Sequence, residues 1–136
     1  MILELLQNKI FLSCVIVLIL NDLLKWIIRG IKNKKFRLKY FFALGGIPSS
    51  HSSFVSALAT GIFFTEGVTT LFVASVVFAL VIMDNAFGSR YQIGENSKII
   101  NKLAKTNLNE VTGHKFREVV AGAVFGVVVT IIIFLI

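Results

Sequence analysis

Two residue types that usually punctuate or staple a small protein are almost missing here. The chain has one cysteine, Cys14, and one proline, Pro48. A single cysteine excludes an intramolecular disulfide and a metal site built of cysteines alone. Cys14 sits within an apolar run and reads as a small packed or lipid-facing residue. Charge is also scarce. Only 15% of the 136 residues are charged, against about 25% in soluble domains. Acidic residues number 7 against 14 Lys and Arg, leaving a formal charge of +7. No Walker-type loop, dinucleotide fingerprint or nucleic-acid module is present. The positive charge therefore points to membrane orientation and anionic headgroups, with no nucleic-acid partner.

What the chain has in excess is apolar surface. Hydrophobic residues make up 56%, and mean hydropathy is +0.85. A soluble domain of this size could not hide that much. A soluble globule, a disordered chain and a coiled coil are all disfavoured. The composition implies a single all-α domain over 1–136 that sits in a membrane as about four short helices.

The first apolar segment, 10–28, is interrupted by Asn21, Asp22 and Lys25. It is too long for a signal-peptide core, and no basic cluster or cleavage site accompanies it. It is expected to be a retained transmembrane helix. The second segment, 50–64, is short for a crossing. Thr65, Glu66 and Gly67 separate it from a third, 68–83, so these two are expected to form a helical hairpin. A polar stretch follows over 84–117, with Ile99, Ile100 and Leu103 at the spacing of an amphipathic helix. The last segment, 118–136, is rich in Val, Ile and Phe. Composition alone would suit a strand, but its length and lack of charge after Glu118 favour a spanning helix.

Seven basic residues lie between Lys25 and Lys39, six between Arg90 and Arg117, and only Lys9 elsewhere. The positive-inside rule places both groups in the cytoplasm, with the ends of the chain and the Glu66 turn outside. Gly122 and Gly126 stand four apart in the last segment. Small residues at that spacing help helices pack in membranes and make a homo-oligomer plausible.

Three clusters of residues carry possible chemistry. The first is Gly45-Gly46-Ile47-Pro48-Ser49-Ser50-His51-Ser52-Ser53. Proline suits a helix's first turn and serine caps it. Free N–H groups and hydroxyls at a helix start suit an anion, and His51 adds a group that exchanges protons near neutral pH. An ordinary capped helix with an incidental histidine is the alternative. The second is His114-Lys115-Phe116-Arg117-Glu118, where His114 and Glu118 share one helical face. A carboxylate there would hold the ring in one tautomer, as a nucleophilic or basic histidine requires. An interfacial histidine beside a surface glutamate is the alternative. The third is Asp84-Asn85-Ala86-Phe87-Gly88-Ser89-Arg90. Its Asp and Arg are either boundary anchors or a charge network around a phosphate, with divalent-cation binding by Asp84 a further alternative. Lys25 either reaches back to the interface or joins that network. Neither histidine lies in a paired-ligand motif such as His-Glu-x-x-His, so no metal and no cofactor are expected.

Taken together these stretches resemble the divergent PAP2 family. These are small bacterial and plant membrane proteins, named for similarity to type 2 phosphatidic acid phosphatases and vanadium haloperoxidases. Gly45 to Ser52 resembles the family's Gly-Gly-Met-Pro-Ser-Ser-His-Ser signature, and Asn85 to Arg90 its Asp-Ala-x-Gly-Val-Arg stretch. Gly113-His114-Lys115 with Glu118-Val119 resembles its closing Gly-His-x-x-x-Glu-Val stretch. Lys25 falls where the family has a lysine late in the first helix. Asn85 and Tyr91 depart from the family's usual Asp and Arg. The resemblance implies a metal-free phosphatase in the cytoplasmic (inner) membrane of a bacterium, acting on an anionic lipid phosphate at the cytoplasmic face. It makes His114 the nucleophile, Glu118 its orienting carboxylate and His51 the acid. Ser49, Ser50, Arg90 and Lys25 would hold the phosphoryl oxygens, with Asp84 in the charge network. A non-catalytic binder or transporter of phosphorylated lipid would need the same anion pocket.

Overall fold

The computed structural model describes residues 2–37, 46–108, 110 and 113–136. Lys39 of the basic stretch and Gly45 of the serine motif lie outside the described residues.

The described residues form six helices and no strand. They are α1 (Ile2–Gln7), α2 (Lys9–Asn33), α3 (Ser50–Glu66), α4 (Thr70–Phe87), α5 (Ser89–Ala104) and α6 (Phe116–Leu135). Each long helix begins for a local reason. Asn8 caps α2 by accepting the Phe11 N–H at 3.0 Å. Thr69 caps α4 by accepting the Phe72 N–H at 3.3 Å. Ser49 caps α3, directly after the chain's one proline.

Helices α2, α6 and the run beginning with α4 are long and apolar enough to cross a membrane. At 25 residues α2 is about 38 Å long, more than the roughly 30 Å hydrocarbon core, so its basic end extends past it. The expected hairpin is present: α3 and α4 pack together across the Gly67–Thr69 turn, where Gly67 takes φ 72°. The Val- and Ile-rich last segment is helical, as its length required. The amphipathic helix is α5, with Ile99, Ile100 and Leu103 exposed.

The short second segment turns out to be the centre of the bundle. Helix α3 packs against α2, α4 and α6 at once, whereas α4 and α6 touch only lightly. Small side chains make this possible. Ser52, Ser53, Ser56, Ala57, Ala59, Thr60 and Gly61 are all buried on α3. Cys14, Val17 and Ala57 form the apolar centre, with Leu58, Phe125 and Val129 against it. The outer faces of α2, α4 and α6 carry exposed Ile19, Val81 and Val124, which suits hydrocarbon as solvent.

Gly122 and Gly126 set the distance between α6 and α3. A Cβ on either would collide with backbone, at the Ser49 carbonyl oxygen for Gly122 and the Ser53 carbonyl oxygen for Gly126. Both glycines are buried. The small-residue stripe that suggested contact with a second copy is therefore used within the chain.

Candidate functional site

The close approach of α6 to α3 brings their starts together. Ser49 donates its N–H to the Glu118 carbonyl at 3.0 Å. On the other side, His114 donates its N–H to the Ala86 carbonyl at 2.9 Å, and Gly113 donates to the Arg90 carbonyl at 3.1 Å. A Cβ on Gly113 would collide with the Ala86 carbonyl oxygen and the Tyr91 nitrogen, so only glycine fits this approach. Main-chain bonds thus lock the lead into α6 between the start of α3 and the α4–α5 junction.

His114 is buried, and its Nδ1 lies 3.0 Å from Glu118 Oε2. The same carboxylate oxygen accepts the Lys115 N–H at 3.2 Å. With Glu118 ionised, Nδ1 carries the proton and Nε2 keeps a lone pair. The His51 ring stands next to His114, centroids 6.3 Å apart and planes at 65°. His51 is exposed, and its Nε2 lies 3.4 Å from Arg90 Nη1.

Behind the serine motif lies a buried polar cluster in α2 and α3. Lys25 Nζ bonds Ser50 Oγ and pairs with Asp22 Oδ1 at 2.6 Å. Ser50 Oγ also lies 3.0 Å from Asp22 Oδ1. Asn21 donates to Ser53 Oγ at 2.6 Å, and Ser53 donates to the Ser49 carbonyl at 2.8 Å. Lys25 therefore faces inward and does not reach back to the interface.

Lys25, Ser49, Ser50, His51, Arg90, His114 and Glu118 thus gather at one end of the bundle. Asp84 stands apart from them. It is exposed, it gives its backbone carbonyl to the Gly88 N–H at 2.8 Å, and its carboxylate contacts none of the other site residues. The carboxylate that pairs with Lys25 belongs to Asp22. Sequence reasoning registered Asp22 and Asn21 only as interruptions of an apolar run. Their signal was the spacing: Asn21, Asp22 and Lys25 share a helical face, and ionisable residues at membrane depth mark functional surfaces.

The Asp22–Lys25 pair yields a stability prediction. Asp22→Leu strands a buried ammonium and should cost about 3 kcal/mol, whereas Asp22→Leu with Lys25→Met should cost less. Thermal unfolding of the two variants in detergent tests this. Equal losses would show that the pair is not coupled.

Among the described residues, three helices long and apolar enough to cross a membrane pack against a central one, the arrangement of a multi-pass helical membrane protein. The chain belongs to the divergent PAP2 family, whose sequence profile matches residues 6–129. Membership marks it as a phosphatase-like membrane protein. It is also 32% identical over 152 aligned positions to the uncharacterized membrane protein YuiD of Bacillus subtilis (strain 168), with 96% of each chain covered. No solved structure matches it.

Proposed function

We propose that the protein cleaves or transfers the phosphoryl group of a membrane lipid phosphate, with His114 as nucleophile. The observation that carries this is the His114–Glu118 pair at 3.0 Å, set beside His51 with its ring centroid 6.3 Å from that of His114.

The lone pair on His114 Nε2 attacks phosphorus. A phosphorus–nitrogen bond forms as the bond to the lipid oxygen breaks. His51 gives its proton to that leaving oxygen, and Glu118 stabilises the positive charge on the His114 ring. Water then attacks the phosphohistidine, His51 takes back a proton, and inorganic phosphate leaves. Arg90, Lys25, the Ser50 hydroxyl and the first N–H groups of α3 hold the phosphoryl oxygens, since a helix start has N–H groups without intrahelical acceptors. A phosphoryl oxygen between His51 and Arg90 would bond to both. The basic residues beside this end of the bundle support a site at the cytoplasmic face of a bacterial inner membrane, where anionic headgroups are drawn.

The test is phosphate release by purified protein in mixed micelles of phosphatidate, phosphatidylglycerol phosphate or polyprenyl phosphate. Attack needs His114 neutral and departure needs His51 protonated. The kcat/KM profile should therefore be bell-shaped, with an alkaline fall as His51 loses its proton, a fall that burial and then the Arg90 guanidinium move below the usual histidine range. His51→Ala should remove the alkaline limb and act best on aryl phosphates, whose leaving group needs no acid. A flat profile would sink these roles. Binding of lipid phosphate with no release would leave the chain a binder or transporter.

A further inference from the structure

A groove of about 550 Å³ runs along α3 between α4 and α6, where those two helices diverge. Its walls are apolar apart from the hydroxyls of Ser56 and Thr60, and Thr60 already donates to the Ser56 carbonyl at 2.8 Å. Its inner end, at Ser56 and Met83, lies about one helical turn from the polar site. On α3 its lining residues Ser56, Ala59 and Phe63 continue the helical face that begins at Ser52, beside His51. On α4, Phe72, Ala79 and Met83 continue the face that ends at Ala86, whose carbonyl holds the His114 N–H. From Met83 to Phe72 the groove is about 16 Å deep, close to the roughly 15 Å of one leaflet's hydrocarbon. The Phe63 and Phe72 rings meet at its far end, centroids 5.3 Å apart.

We infer that this groove holds one hydrocarbon chain of the lipid whose phosphate occupies the site. The inference rests on the proposed reading for the phosphate end and adds a chain subsite to it. Wall chemistry and depth favour this occupant. A groove with apolar walls at membrane depth offers nothing to a polar group. A helix from a second copy packed over the groove is the competing occupant, and it would shield the groove peptides from both probes alike. The Phe63–Phe72 pair gives the subsite a floor, so chain length is read as well as chain presence.

The experiment is photolabelling of the protein in nanodiscs with an alkyl phosphate that carries a diazirine near the end of its chain. The control probe has the same chain with a trimethylammonium head. The phosphate-headed probe should label the peptides containing Phe63 and Phe72. A mid-chain diazirine should label those containing Ala79 and Met83. Ala79→Trp, which fills the groove, should lower this labelling at least ten-fold. Leu80→Trp, at a position 62% exposed and so tolerant of bulk, should do the same if the first variant fails to fold.

Labelling that is equal for the two heads, or unchanged in a folded groove-filled variant, overturns the inference. Hydrolysis plays no part in the readout. Labelling as expected without any phosphate release would keep the groove and remove the phosphatase reading. Release of phosphate with no groove labelling would do the reverse.

Discussion

His114→Ala should abolish phosphate release from the lipid substrate, with a loss on the order of 10⁴-fold or more, as for removal of other covalent nucleophiles. The fold should survive, because residue 114 is held through its backbone. Its N–H bonds the Ala86 carbonyl, and that bond does not need the imidazole. Glu118→Gln should be milder. An amide oxygen still accepts from Nδ1, but it gives the imidazolium no charge, so a loss on the order of 10²-fold is expected. The unmodified protein, quenched during incubation with a radiolabelled substrate, should carry acid-labile, alkali-stable phosphate, and the alanine variant should carry none. Full activity in His114→Ala would place the nucleophile elsewhere.

A change at the crossing of α6 and α3 should have a large effect on folding. Gly122→Val puts a side chain into the Ser49 carbonyl and Ser52 Cβ, where α6 crosses α3. Backbone lies on the far side of that contact, so no flexible side chain can yield. Overpacking of this kind costs about 3 kcal/mol. It should also part Ser49 from Glu118 and so remove activity together with stability. Val124→Ala, on the exposed face of the same helix, is the control and should change neither by much. Thermal unfolding and light scattering of both variants decide between two uses of the glycine stripe. If Gly122→Val changed only the particle mass and left the melting temperature alone, the stripe would serve self-association.

The apolar runs of this sequence give the helices almost directly, because at membrane depth every backbone group must be bonded within a helix. The central place of α3 is harder to read. A hydropathy scan registers only its 17 residues and marks it as the weak crossing. The signal lay in its Ser, Ala and Gly content, which says that neighbouring helices come close. The reactive groups were legible because His51, His114 and Glu118 stand at motif spacings. Asp84 was assigned to the network for its nearness to Arg90 along the chain. In space the kinked junction at Gly88 leaves it exposed, and the carboxylate that pairs with Lys25 comes from α2, over sixty residues earlier. Gly122 and Gly126 were recognised as packing residues, but periodicity cannot say which helix they meet.

The main-chain bonds at this end of the bundle have an electrostatic consequence. They join the starts of α3, α5 and α6 to the last turn of α4, so three helix starts stand against one helix end. Each helix start carries roughly half a positive charge from its aligned peptide dipoles. That attraction belongs to the backbone, so it does not titrate and no single side-chain substitution removes it. An anion arriving at any pH meets the same pull. In the proposed reaction the proton on His51 would govern what is done to the anion, while the backbone adds a pH-independent share to the capture by Arg90 and Lys25.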